Sequence, residues 1–177
     1  MRYTISPKHI FLTGPKRIGK STAVQKILTL IDTDGSLSLG GFRTYWDGDE
    51  GRKLYIAAAA DRSAQTLLAD RSGDNMVLYP EAFDEQGVSL LADTRGKGLI
   101  LMDELGFLEE ESPRFRHAVL AALDGDIPVL GVLREGNVPW HEPVKAHPRV
   151  AVYEVSLDNR DQLPSEIARI LKPAISY

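Results

Sequence analysis

Gly14-Pro15-Lys16-Arg17-Ile18-Gly19-Lys20-Ser21 matches the pattern G-x-x-x-x-G-K-[ST], between a short apolar run, Ile10-Phe11-Leu12, and a helical pattern. The match carries weight only where a strand leads in and a helix leads out, and both are present here. Gly14 and Gly19 admit backbone angles closed to other residues, so successive N–H groups can point into one concavity and hold phosphate oxygens. Lys20 supplies a mobile positive charge for β- and γ-phosphates, Ser21 offers a hydroxyl to Mg²⁺, and the helix starting there adds the positive end of its dipole. The competing reading is a Gly-rich turn that binds nothing, which the flanking strand and helix disfavour.

Outward from this loop, residues 8–13 read as a buried strand, and Ala23, Val24, Ile27, Leu28 and Ile31 recur at helical spacing up to Asp32, before Asp34-Gly35-Ser36 breaks the helix. From Gly40 to about Asn75 the texture becomes β-rich, with segments at residues 41–46, 53–57 and 65–68 and a hairpin signal in Asp47-Gly48-Asp49-Glu50-Gly51, which predicts an antiparallel extension of the sheet. Residues 80–93 read as a helix with Phe83, Val88, Leu90 and Leu91 on its buried side, Pro80 in the first turn and Gly87 as an internal weakness.

Leu99-Ile100-Leu101-Met102-Asp103-Glu104 is four apolar residues ending in two acids, the pattern of a central parallel strand that delivers carboxylates to its C-terminal edge. Ser112-Pro113 opens a further helix as cap and first residue, with Phe115, Val119 and Leu123 buried and Asp124-Gly125 as its end. A strand at residues 127–133, another at 150–155 and a helix at 164–171 carrying Ile167, Ile170 and Leu171 complete the alternation. Strands alternating with helices after residue 80 argue for an α/β fold with a mainly parallel sheet.

The chain has 177 residues, 43% of them hydrophobic, enough for one domain over residues 1–177 with a sizeable core. It has no cysteine, so disulfides, a thiolate nucleophile and a Cys-ligated zinc site are excluded. A net charge of -4 gives no general reason to expect nucleic-acid or anionic-membrane binding. No apolar run approaches the ~20 residues that span a bilayer, and Met1-Arg2-Tyr3-Thr4 lacks a signal-peptide core, so a soluble cytoplasmic protein is expected.

Phosphoryl transfer needs an aligned nucleophile and positive charge around three equatorial oxygens. Asp103 is the natural partner for Mg²⁺ alongside Ser21, and Glu104 is suited to orient or deprotonate an attacking water. A solvated strand terminus would also explain two such acids; the phosphate loop decides against it. Arg17, Arg43, Arg52 and Arg134 all fall in or after segments that could reach the phosphates, and Arg134 is the first choice because it follows a strand expected to end on the same sheet edge as Asp103. Tyr45 and Trp46 could stack a nucleobase, although aromatic residues in a hairpin more often pack. His9, His117, His141 and His147 show no metal-ligand spacing, and His141 and His147 are expected at the surface.

With these residues in view, the chain resembles the cancer-related nucleoside-triphosphatase family, small standalone P-loop NTPases also described from thermophilic prokaryotes as the THEP type. The resemblance runs over almost the whole length: residues 14–22, Gly41-Phe42-Arg43-Thr44, Glu81-Ala82-Phe83, Leu101-Met102-Asp103-Glu104-Leu105-Gly106-Phe107-Leu108-Glu109, Ser112-Pro113-Arg114-Phe115, Pro128-Val129-Leu130, Val155 and Asn159-Arg160-Asp161. The loop is shared by hundreds of families; Asp-Glu-x-Gly-x-x-Glu followed by Ser-x-x-Phe is far more specific. The family usually has an acid where this chain has Trp46, and a Gly-Phe pair where it has Leu54-Tyr55, so the chain departs from the family pattern at the hairpin.

The resemblance implies a P-loop NTPase three-layer sandwich and slow, Mg²⁺-dependent hydrolysis of ATP, GTP, CTP and UTP to diphosphate and phosphate, with Glu104 activating water. The expected catalytic residues are Lys20, Glu104 and Arg134. The nucleotide-binding set is Gly14, Pro15, Lys16, Arg17, Ile18, Gly19, Lys20, Ser21, Thr22, Met102, Asp103, Glu104, Leu105 and Gly106, with Ser21 and Asp103 for the metal. A small-molecule kinase shares the loop and sheet, but residues 134–149 hold only two arginines and do not read as an arginine-rich lid. A nucleotide-dependent regulatory module is the third possibility; no Asn-Lys-x-Asp base-reading stretch supports its commonest form. The partner expected is the nucleoside triphosphate, with no specific nucleic acid and no membrane.

Overall fold

The computed structural model describes residues 7–47 and 50–175. Met1-Arg2-Tyr3-Thr4 and the Gly48-Asp49 tip of the expected hairpin lie outside the described residues. The elements follow in the order β1 (His9–Thr13), α1 (Lys20–Ile31), β2 (Leu39–Trp46), β3 (Lys53–Ala58), β4 (Gln65–Asp70), β5 (Val77–Leu78), α2 (Pro80–Ala82), α3 (Val88–Ala92), β6 (Leu99–Leu105), α4 (Pro113–Asp124), β7 (Val129–Leu133), α5 (Glu142–Lys145), β8 (Val150–Glu154) and α6 (Leu163–Leu171).

The eight strands form one sheet in the order β5-β4-β3-β2-β6-β7-β1-β8. The contacts β2–β6, β6–β7, β7–β1 and β1–β8 are parallel, while β2–β3, β3–β4 and β4–β5 are antiparallel. The expected parallel sheet with an antiparallel extension is therefore what the chain forms. Alternation along β1 sends Phe11 to one face and Ile10 and Leu12 to the other. On the Ile10 face α1 and α6 pack with Val24, Ile27, Ile31, Ile167 and Leu171; on the Phe11 face sit Phe83, Leu91, Phe115, Val119, Leu123 and Val144. Helices on both faces explain why the inner strands are apolar throughout rather than alternating.

The helix over residues 80–93 is present, interrupted by a π turn at Phe83–Gly87 between α2 and α3. Gly87 has a packing reason: a Cβ there would lie 2.5 Å and 2.6 Å from ring atoms of Phe115. The glycine that weakens the local helix thus admits the largest side chain of α4, a tertiary gain over a propensity loss of about 1 kcal/mol. Ser112 is a correction. It precedes α4 as expected, with Pro113 in the first turn, but its side chain caps nothing there. Its hydroxyl donates instead to Pro80 O at 3.0 Å, and the N–H of Phe115 is taken by Asp84 Oδ1 at 2.8 Å. The capping acceptor comes from another helical segment, which no local pattern announces.

Candidate active site

The adjacency β6-β7-β1, all parallel, places the C-terminal ends of these three strands at one edge of the sheet. There lie the Gly14 loop after β1, the Asp103-Glu104 pair near the end of β6 and Arg134 after β7, so three pieces of chain up to 120 residues apart meet because their strands are neighbours.

In the loop, Gly14 and Gly19 have φ of 134° and 114°, and Arg17 a φ of 66°. Gly14 is required twice, since a Cβ would also lie 2.7 Å from Val155 O. The helix α1 that follows has no side-chain cap and no acid in its first turn. Its leading N–H groups and dipole are thus left to an anion. Lys20 Nζ spans the loop, donating to Gly14 O at 2.7 Å and Pro15 O at 3.0 Å. Pro15, Lys16 and Arg17 are exposed along the loop rim, Ile18 is half-buried, and Ser21 and Thr22 are exposed on the first turn of α1.

The two acids face different cations. The β2–β6 register sets Arg43 opposite Asp103, and Arg43 Nη1 lies 3.8 Å from Asp103 Oδ2, each side chain only 15% exposed. Burial raises the Asp103 carboxyl above its usual range, opposed by Arg43 and then Arg62; burial likewise lowers Arg43, with Asp103 opposing. Burial also raises Glu104, but there the opposing charges are Lys20 and Arg134, with Asp103 adding to the rise. Glu104 therefore belongs with the loop lysine and Arg134, and Asp103 with the arginines of the antiparallel extension. The β6–β7 register slips between Met102 and Leu105, an irregularity of the kind that re-aims side chains at a strand end, and the Asp103-Glu104 peptide is cis. Thr44 holds the backbone of both acids, its hydroxyl donating to Asp103 O at 3.1 Å and accepting from Glu104 N at 3.3 Å.

Not every expected residue lies open to a ligand. Met102 and Leu105 are fully buried in the Phe11-side core, so any part they take falls to their backbone. Arg52 pairs with Glu50 at 2.6 Å on the surface of the extension. The ring of Tyr45 stacks on Tyr55 and carries Arg62 at 4.9 Å, its hydroxyl bonds Gln65, and Arg71 covers the ring of Trp46 at 4.2 Å. These aromatic residues already have partners, as the packing reading expects. His141 and His147 are corrected: His141 is fully buried beside Trp140, and His147 has 12% side-chain exposure with Nε2 3.4 Å from Asp124 Oδ1. Burial holds His141 down to about 4.

Sequence reasoning missed Thr44 as a clamp and Arg62 as a second cation near Asp103. The first had a signal in the segment Gly41-Phe42-Arg43-Thr44; the second depends on a loop folding back over β2 and had none. It also held Glu109 only as a reserve acid, to be tested should Glu104 drop out of the mechanism, with no structural role. This residue is 3% exposed, its Oε2 accepts the Gly106 N–H at 3.0 Å, and burial pushes its carboxyl up to about 7. Bonds from its own N–H and that of Gly106 pull the other way, Glu104 adds to the rise and Arg134 opposes it.

A folded pKa raised above the unfolded 4.5 means that the folded protein holds this proton more tightly. The resulting stability is complete below about pH 4.5 and is lost as pH rises through about 7. Glu109→Gln, which cannot titrate, is expected to gain about 2 to 3 kcal/mol relative to wild type between pH 5 and pH 8. Urea unfolding of both proteins at the two pH values measures it; an unchanged difference would contradict the shift. His9 and His141, both held down to about 4 by burial, act in the opposite sense but equally in both proteins.

A sequence model of the family described as NTPase matches residues 9–168. A nucleoside-triphosphatase THEP1 from Thermotoga petrophila is 30% identical over 171 residues, covering 92% of this chain and 92% of that protein. Among solved structures, a human cancer-related nucleoside triphosphatase superposes with a TM-score of 0.76 at 22% identity, covering 94% of this chain and 98% of that one. THEP1 from Aquifex aeolicus gives 0.73 at 21% identity, with 93% and 99% covered. At these identities the structural likeness speaks for the fold.

Proposed function

The chain belongs to the NTPase family, and from that membership we propose that it hydrolyses ATP, GTP, CTP and UTP to diphosphate and phosphate, slowly, with Mg²⁺, in the cytoplasm. The observation that carries this reading is the parallel run β6-β7-β1, which brings Glu104, Arg134 and the loop carrying Lys20 to one edge of the sheet. A carboxylate that shares a phosphate site with two cations would suit water as acceptor, since it could take a proton while the cations hold the charge of the transferring phosphoryl group.

The loop N–H groups and the first turn of α1 would hold the β- and γ-phosphates, and Lys20 would exchange its two carbonyl partners for phosphate oxygens, which bind an ammonium more strongly. Glu104 would orient the attacking water and accept its proton at a carboxylate oxygen. Arg134 would stabilise charge on the equatorial and leaving oxygens. Ser21 and Asp103 offer a hydroxyl and a carboxylate, hard oxygen donors that suit Mg²⁺, a metal that takes few protein ligands beside substrate phosphates. Among the described residues no three His, Asp or Glu side chains converge as a protein cage, which such a site does not need. When bound, Mg²⁺ neutralises phosphate charge. Among the described residues no helix is long and apolar enough to cross a membrane.

Because these contacts address phosphate and metal, and the faces of Tyr45 and Trp46 already carry arginines, base tolerance is expected. Phosphate release from each of the four nucleotides, with Mg²⁺ and no added acceptor, tests the reading. Comparable kcat/KM values support it. A preference of about a thousandfold, roughly 4 kcal/mol, would demand a dedicated base pocket, and turnover only with an added acceptor would make the protein a kinase.

A further inference from the structure

Glu109 is a buried carboxyl group that forms no salt bridge among the described residues, an arrangement whose charged form costs several kcal/mol unless its bonds repay it. A turn alone does not call for such a group. The bonds around it lead to the active site. Gly106, whose N–H it accepts, has its carbonyl held by Trp140 Nε1 at 2.7 Å, so buried side chains grip both polar groups of this residue. On either side of Gly106, Leu105 O accepts the N–H of Arg134 at 2.9 Å, and the ring of Phe107 lies 4.6 Å from the Arg134 guanidinium. A Cβ on Gly106 would lie 3.4 Å from Arg134 Cδ, so the arginine stem runs directly over this residue.

We propose that Glu109 is a positioning residue for Arg134: together with Trp140 it locks the Gly106 peptide, and the locked turn supplies the surface on which Arg134 lies, aimed toward Glu104. The chain of contact is Glu109 to Gly106 to Arg134, with Phe107 under the guanidinium. Arg134 is otherwise a long side chain on a loop, with rotamer freedom to lose on every turnover. A rigid floor removes that loss before substrate binds, as supporting groups around a site do. The inference rests on the proposed hydrolysis.

The test is a double-mutant cycle read by single-turnover hydrolysis of Mg-ATP and by calorimetric affinity for the same nucleotide. Glu109→Ala is expected to lower kcat by about 10- to 100-fold with affinity changed only a few-fold. Glu109→Gln, whose amide oxygen can accept the same N–H, is expected to restore most of that rate. In an Arg134→Ala background, Glu109→Ala is expected to cost little more, because its effect passes through the arginine. Additive losses would overturn the proposal, as would an unchanged rate in Glu109→Ala, or a Gln variant as slow as Ala, which would make Glu109 a proton carrier. If Glu109→Ala does not fold, Trp140→Phe, which frees the other side of Gly106, takes its place in the same cycle with the same expected and overturning results. No phosphate release by the wild type would overturn hydrolysis and this inference together, whereas wild-type release with additive variants overturns this inference alone.

Discussion

Glu104→Gln is expected to lower kcat by about 10²–10⁴ while nucleotide dissociation constants change only a few-fold. The substitution keeps size and hydrogen-bonding capacity and removes only the charge that, on the proposed reading, would draw a proton from water, so the protein should trap bound triphosphate. The surroundings of Glu104 sharpen the expectation. Lys20 and Arg134 oppose the rise that burial imposes on it, so an amide would leave two cations facing one fewer negative charge, a change that favours binding of a polyanion. Asp103→Asn is the comparison to run alongside, because Asp103 faces Arg43 and is expected to serve Mg-nucleotide binding as well as turnover. Calorimetric affinity against single-turnover hydrolysis, at fixed Mg²⁺, separates the two acids. Equal loss of affinity and rate in Glu104→Gln would assign it to binding, and an unchanged rate would remove it from the mechanism.

Lys20→Ala is expected to reduce turnover by about 10³ or more and to weaken binding with it. On the proposed reading Lys20, unlike Glu104, would meet the phosphates in the ground state as well as in the transition state, so affinity and rate should fall together. The fold should survive. Lys20 is half-buried at the sheet edge, outside both core clusters, and its ammonium bonds two carbonyls of its own loop, so its loss is expected to change stability by about 1 kcal/mol or less. A circular-dichroism melt alongside the assay checks that point, and wild-type turnover in Lys20→Ala would mean that the loop is not the active site.

The features legible in the sequence share one property: each is written in consecutive or helically spaced residues. The loop at residues 14–21 needs its glycines, lysine and serine at fixed offsets, and α1 buries Ala23, Val24, Ile27, Leu28 and Ile31, the positions its period marks. Phe115, Val119 and Leu123 behave likewise on α4, and the two acids follow the apolar run Leu99–Met102 inside β6, one residue short of its end at Leu105. Arg134 was legible one step further, because a residue following a parallel strand must emerge on a known edge.

What only the tertiary structure decided is which of these parts face one another. That Asp103 pairs with Arg43 follows from the register of β2 on β6, and the capping of α4 by Asp84 follows from the packing of two helical segments. The burial of His141 and the grip of Glu109 and Trp140 on Gly106 depend on how the segments after β6 and β7 fold over the sheet edge. Local sequence sets dihedral preferences and which face of an element is apolar, since those energies act within a few residues. Partners 30 or 60 residues apart are chosen by strand order and register, and those are set by the packing of the whole sheet between its two helical layers.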